Sequence, residues 1–220
     1  SMNRLKTNQL VTMGMLAAIA YVVMLVGRIP VVLFLKYDPK DVVIAIGGFI
    51  FGPMSAFFIS LVVSIVEFAT ASDTGIIGLI MNVLSTCSFV CVGAAIYKKR
   101  HTIQSALVGL IIGCVFMTIV MLLWNYLITP LYMTGTSRSD IAGMLLPVFL
   151  PFNLLKAGLN SSITLLLYKP LVNGLRRAGL VQTSSAPAAS GRKAKPGVLI
   201  FAAVLLIVCV LAVLSFRGIL

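Results

Sequence analysis

Residues 103–128 read IQSALVGLIIGCVFMTIVMLLWNYLI, a stretch without a single charged side chain. About 20 apolar residues carry a helix across the hydrocarbon of a bilayer. At that depth no water satisfies the backbone, so the segment must bond to itself, as a helix does. The rest of the chain agrees. Of 220 residues, 60 % are hydrophobic and 10 % charged, against about 25 % charged in an ordinary soluble domain. A soluble core of this length has no room for so much apolar surface. The fold class is therefore an all-α integral membrane protein. Ser1 ahead of Met2 reads as a cloning remnant.

Working outward, apolar runs occupy 10–26, 42–51, 54–71, 76–97, 145–175 and 198–216. Phe51-Gly52-Pro53 is a tight break between the second and third, because Pro suits only the first turn of a new helix. Ser72-Asp73-Thr74-Gly75 is a turn, and 129–143 reads as a polar loop. The run at 42–51 is too short to span unless its first turn borrows from the mixed segment at 27–41. The organisation is a six-helix membrane domain over 2–181, a polar basic linker over 182–196 and an extra transmembrane helix over 197–220. No fixed-period repeat is evident.

The net charge of +12 reports topology rather than an acidic partner. If the helices alternate, Arg4 and Lys6, Lys98 to Arg100, Arg176 and Arg177, and Arg192, Lys193 and Lys195 share one side. Arg28, Lys36, Asp38, Lys40, Asp41, Asp73, Arg138 and Asp140 share the other. Positive charge collects in the cytoplasm, which puts the N-terminus inside and, after a seventh helix, Leu220 outside.

Enzymatic chemistry finds little support. Glu67 is the carboxylate well inside a span, so paired acids are missing, and neither a Gly-x-Ser-x-Gly elbow nor a phosphate loop occurs. Cys87, Cys91, Cys114 and Cys209 sit in apolar runs without C-x-x-C spacing and read as small buried hydrophobes. His101 follows Lys98-Lys99-Arg100 and reads as a solvated loop residue. No metal site is expected, since several carboxylates or His and Cys together would be needed.

Ionisable groups inside a membrane are costly and mark function by default. Glu67 and Lys156 qualify. With Asn82, Asn125 and Asn153 they form five polar positions on four helices, all in the outer third of the bilayer by the topology above. Asn153, Lys156 and Asn160 stand at i, i+3 and i+7, on one helix face. The bland readings are Asn as glue between helices, a structural Glu67–Lys156 ion pair, or Lys156 snorkelling outward. Amides, one ammonium and apolar walls suit a small polar organic molecule better than a metal ion.

Four segments carry a family resemblance: Lys36-Tyr37-Asp38-Pro39-Lys40-Asp41-Val42, Phe51-Gly52-Pro53, Trp124-Asn125-Tyr126 with Pro130-Leu131-Tyr132, and Pro151-Phe152-Asn153-Leu154-Leu155-Lys156. In this order, over residues 4–178, the chain resembles the riboflavin-specific S component of energy-coupling factor (ECF) transporters. The resemblance implies a six-helix S-component bundle that captures riboflavin from outside, with riboflavin as cargo and no cofactor. It implies partnership with a transmembrane coupling subunit and two cytoplasmic ATPases, in the plasma membrane of a bacterium. By position, the site residues would be Asp38 in a lid after the first helix, Asn82, Asn125, Asn153 and Lys156, with Glu67 and Tyr37 as further candidates. Gly14, Ala17 and Ala18 would face the coupling subunit, as small residues permit close helix approach; packing within the bundle is the plain alternative.

The chain departs from the family at three places. The lid reads Tyr-Asp-Pro-Lys-Asp where an aromatic and Ser more usually separate the two acids, position 67 is Glu rather than an amide, and the seventh helix is additional. That helix carries no Asn, Glu or Lys to reach a ligand, so it reads as a lipid-facing anchor or partner-docking element, and its removal is expected to leave affinity within about threefold. The rival readings are an S component for another vitamin or flavin derivative, and a membrane assembly or signalling protein that binds no small molecule.

Overall fold

A computed structural model describes residues 2–33, 35–71, 74–180 and 196–220, with side chains from Lys6 onward. The side chain of Arg4, Ser72 and Asp73 of the expected turn, and the linker up to residue 195 with Arg192, Lys193 and Lys195 lie outside the described residues.

Helix α1 (Met2–Gly27) leads into a hairpin of β1 (Ile29–Val32) and β2 (Leu35–Tyr37), paired antiparallel with Ile29 opposite Tyr37. The sequence predicts a mixed connector over 27–41, where the structure forms this two-stranded hairpin. Ile29, Val31, Val32 and Tyr37 are residue types that suit strands, and Leu33 at the turn takes a positive φ of 51°. Helix α2 (Lys40–Phe51) borrows only Lys40 and Asp41 from the loop. At about 1.5 Å per residue it remains shorter than the hydrocarbon. Residues Lys40 through Ile50 are all buried, because α2 runs inside the bundle against α1, α3 (Pro53–Thr70), α5 (Val92–Lys98) and α9 (Leu150–Arg177). Gly52 makes the break before α3 at φ 102°, a conformation that favours glycine, and Pro53 opens the next helix.

Helix α4 (Gly75–Thr86) continues through one π turn, Cys87–Cys91, into α5. Helix α6 (Ile103–Leu127) begins on a capping box in which Thr102 and Ser105 bond each other's backbone. The expected polar loop contains two short helices, α7 (Thr129–Tyr132) and α8 (Arg138–Met144), the second capped by Ser137 and Asp140. A π turn at Leu145–Phe149 accommodates Pro147, which lacks an amide hydrogen, and joins α8 to α9. Six described helical stretches are long and apolar enough to cross a membrane, and α2 is the short seventh.

Two glycines bring α5 and α6 into backbone contact: a Cβ added at Gly109 would lie 2.6 Å from the Gly93 carbonyl oxygen. Helix α10 (Pro196–Phe216) packs along α9. Val198 at its start meets the main core, while Leu205, Leu206, Cys209 and Val213 join a second cluster with the hairpin and the first half of α9, so α10 runs antiparallel to α9.

Candidate functional site

The turn from α1 into the hairpin delivers Arg28, and the hairpin delivers Asp38 and Lys40 to the same place. There they meet Glu67 of α3 and Asn82 of α4. Arg28 Nη2 donates to Glu67 Oε1 and lies 3.9 Å from Asp38 Oδ2. Lys40 Nζ lies 3.5 Å from Asp38 Oδ2 and 4.0 Å from Glu67 Oε2, while Asn82 Nδ2 donates to Glu67 Oε2 at 3.0 Å. Two cations face two carboxylates, so the four charges balance. Balance is needed because Lys40 is 2 % exposed and Glu67 5 %, and an unpaired buried charge is very costly. Burial of Asp38 opposes its ionisation, but the Lys40 and Lys156 ammoniums, the Lys40 amide and the Arg28 guanidinium outweigh it and hold the carboxyl below its ordinary value.

One helical turn from Asn82, Ser85 Oγ accepts from Lys156 Nζ of α9 at 3.1 Å. The structural Glu67–Lys156 ion pair is therefore not formed. Arg28 and Lys40, which flank the hairpin at its two ends, occupy both oxygens of Glu67 instead. Next to this site Thr86 Oγ1 donates to Asp41 Oδ1 at 2.7 Å. Tyr37 of β2 donates its hydroxyl to Asn160 Oδ1 at 2.9 Å, which fastens the hairpin to α9.

Asn153 and Asn160 are buried on the inward side of α9 and Lys156 is partly so, as their spacing requires. Asn153 Nδ2 donates to the Phe149 carbonyl at 2.8 Å. Asn125 is also buried; it donates to the Met121 carbonyl at 2.8 Å and accepts from Thr129 Oγ1 at 2.9 Å. Among the described residues, the buried polar atoms without a hydrogen-bond partner include Trp124 Nε1 on α6 and Asn160 Nδ2 on α9, two helices packed on each other. Hence Glu67 and Asn82 are hydrogen-bonded and Asp38 joins them through ion pairs with Arg28 and Lys40, Lys156 adjoins this group through Ser85, and Asn125 and Asn153 bond within their own segments. Arg28, Lys40 and Ser85 were not singled out from sequence. The alternating signs between Arg28 and Asp41 were the available signal, since such a segment can neutralise itself when it folds inward.

On α1, Gly14 and Ala18 are exposed, with nothing within 4 Å of a Cβ added at Gly14. Ala17 instead points into the main core at 7 % exposure.

The model of the family described as ECF transporter, substrate-specific component, matches residues 8–168. The chain belongs to this family. As a substrate-specific (S) component it is a multi-pass membrane transport subunit and not an enzyme. It is 32 % identical over 184 residues to the riboflavin transporter RibU of Staphylococcus aureus (strain TCH60), covering 80 % of this chain and 96 % of that one. It is 29 % identical over 164 residues to the riboflavin transporter FmnP of Bacillus subtilis (strain 168), covering 69 % and 85 %. A solved structure described as the S component of a bacterial ECF transporter superposes with a TM-score of 0.65 at 32 % identity, covering 78 % of this chain and 99 % of that one. The matched family region of this S component ends at residue 168, so α10 lies beyond it.

Proposed function

We propose that this S component captures riboflavin at the outer membrane face and delivers it through a transmembrane coupling subunit powered by two ATPases. The observation that carries the reading is the inward stripe Asn153, Lys156 and Asn160 beneath the hairpin, with the Asn160 amide still holding an unpartnered buried donor. A flavin presents a flat apolar body and an edge of alternating donors and acceptors, which amides and an ammonium can match. Glu67 and Asn82, bonded to each other, and Asp38, paired with Arg28 and Lys40, border that stripe as a charge-balanced wall suited to an uncharged ligand. The names of the relatives agree with this choice of cargo.

Lys98 ends α5 and Lys99 and Arg100 follow it, while Arg176 and Arg177 close α9, and by the positive-inside rule both ends belong in the cytoplasm. Thr12 of α1 donates to the Leu180 carbonyl at 3.3 Å, so the start of α1 belongs to that same side. The hairpin then faces outward, and α10 ends outside. The substrate-binding domain over 2–181 with α10 as a separate added unit remains our division of the chain. The exposed Gly14 and Ala18 form the surface offered to the coupling subunit.

The test is titration of riboflavin into the purified full-length chain, followed by flavin absorption and fluorescence. Lys156→Ala and Asn153→Ala should each weaken binding about 10- to 150-fold, the equivalent of a hydrogen bond to a charged group worth about 1.5–3 kcal/mol. Absence of binding by the full chain refutes the cargo, and unchanged affinity in both variants removes α9 from the site.

A further inference from the structure

We propose that α10 is a brace on the β1–β2 hairpin, one that sets how fast the hairpin opens without taking part in ligand contact. Helix α10 is hydrophobic throughout, and most of its surface is exposed as expected toward lipid. Its buried positions are specific. Ala202 is fully buried against the main core, and Cys209 is buried where α9 carries Gly158. A Cβ added at Gly158 would lie 2.8 Å from Cys209 Sγ, so the two helices close up at this glycine and a larger side chain there would displace Cys209. At that level Cys209, with Leu205, Leu206 and Val213, shares one apolar cluster with Val31, Leu35 and Tyr37 of the hairpin and with Phe152 and Leu159 of α9. Helix α10 also contacts β1 directly.

A two-stranded hairpin has little stability of its own. Here one edge is held to α9 by the Tyr37–Asn160 hydrogen bond and the flank is covered by α10. To lift, the hairpin must expose Val31 and Leu35 and leave the α10 side chains unfilled. Of the candidate ligand-binding residues, the α10 cluster includes Tyr37 alone, through its ring, and it does not include Asp38, Asn82, Asn125, Asn153, Lys156 or Asn160. These contacts stabilise the closed hairpin equally with and without ligand. A device of that kind slows entry and release by the same factor and leaves the equilibrium affinity nearly unchanged.

The experiment compares the full chain with a chain ending at residue 180 and with full-length Gly158→Leu, which pushes α10 away without deleting it. Amide exchange at residues 29–37 in ligand-free protein should accelerate about fivefold, corresponding to about 1 kcal/mol at 1.4 kcal/mol per tenfold. Stopped-flow association and dissociation of riboflavin should both quicken by about that factor, with Kd held within about threefold. Unchanged hairpin exchange in both variants overturns the brace. A folded variant whose affinity falls more than about tenfold with unaltered association also overturns it, because α10 would then belong to the binding unit. If the shortened chain does not fold, Gly158→Leu decides alone. The rate arm rests on riboflavin as cargo; should the full chain not bind it, that reading fails and ligand-free exchange still decides the brace.

Discussion

Replacing Glu67 by Gln keeps the shape of the side chain and removes its charge from a cluster in which two cations face two carboxylates. Breaking a buried pair from one side typically costs about 3–5 kcal/mol. Arg28 has a side chain 23 % exposed and can turn to water, whereas Lys40, at 3 %, keeps Asp38 at 3.5 Å and the nearby charge of Asp41. A loss of about 2–3 kcal/mol is expected after that discount, which for a chain of this size lowers Tm by about 5–10 °C. Arg28→Gln should cost less, about 1–2 kcal/mol, because Glu67 retains Lys40 and Asn82. The combined Glu67→Gln, Arg28→Gln variant restores the balance of Lys40 against Asp38. Its loss should therefore fall short of the sum of the single losses by at least about 1 kcal/mol. Thermal unfolding of the ligand-free, detergent-solubilised proteins measures all three. Losses additive to within about 0.5 kcal/mol would refute the coupled cluster.

Asp38, ionised below its ordinary range, contributes stability that is complete above the unfolded carboxyl pKa of about 3.9 and disappears as pH falls through the lower native value. Asp38→Asn should thus lower Tm at pH 7 and lose most of that difference under strong acid; a pH-independent difference would contradict the pairing. Gly109→Ala forces a methyl to within 2.6 Å of the Gly93 carbonyl oxygen and should cost about 1–3 kcal/mol by thermal unfolding. Gly14→Ala, in open space on α1, should be neutral or stabilising by up to about 1 kcal/mol. Gly14→Leu and Ala18→Leu should abolish riboflavin accumulation in vesicles bearing the coupling and ATPase subunits while sparing binding to the isolated chain. Normal accumulation would remove this face from the coupling surface.

Much of this protein follows from local sequence. A long uncharged run must become a helix in hydrocarbon, so the spanning helices, their order and the break at Gly52-Pro53 were readable directly, as was the shared face of Asn153, Lys156 and Asn160. Helical periodicity also put Gly14 and Ala18 on one face, but it could not say that Ala17, beside them, turns inward. The partners of the charges were not readable at all. Glu67 and Lys156 looked matched by depth, yet Arg28 and Lys40 reach Glu67 first because the hairpin between them brings its two ends together beside α3. The hairpin itself, the burial of α2 on all sides and the seat of Cys209 on Gly158 likewise belong to the tertiary structure. Local rules register what lipid or water demands of each residue, whereas pairing depends on which distant segments the packed helices bring within 4 Å, and a charge taken out of water accepts the nearest opposite charge whatever its place in the chain.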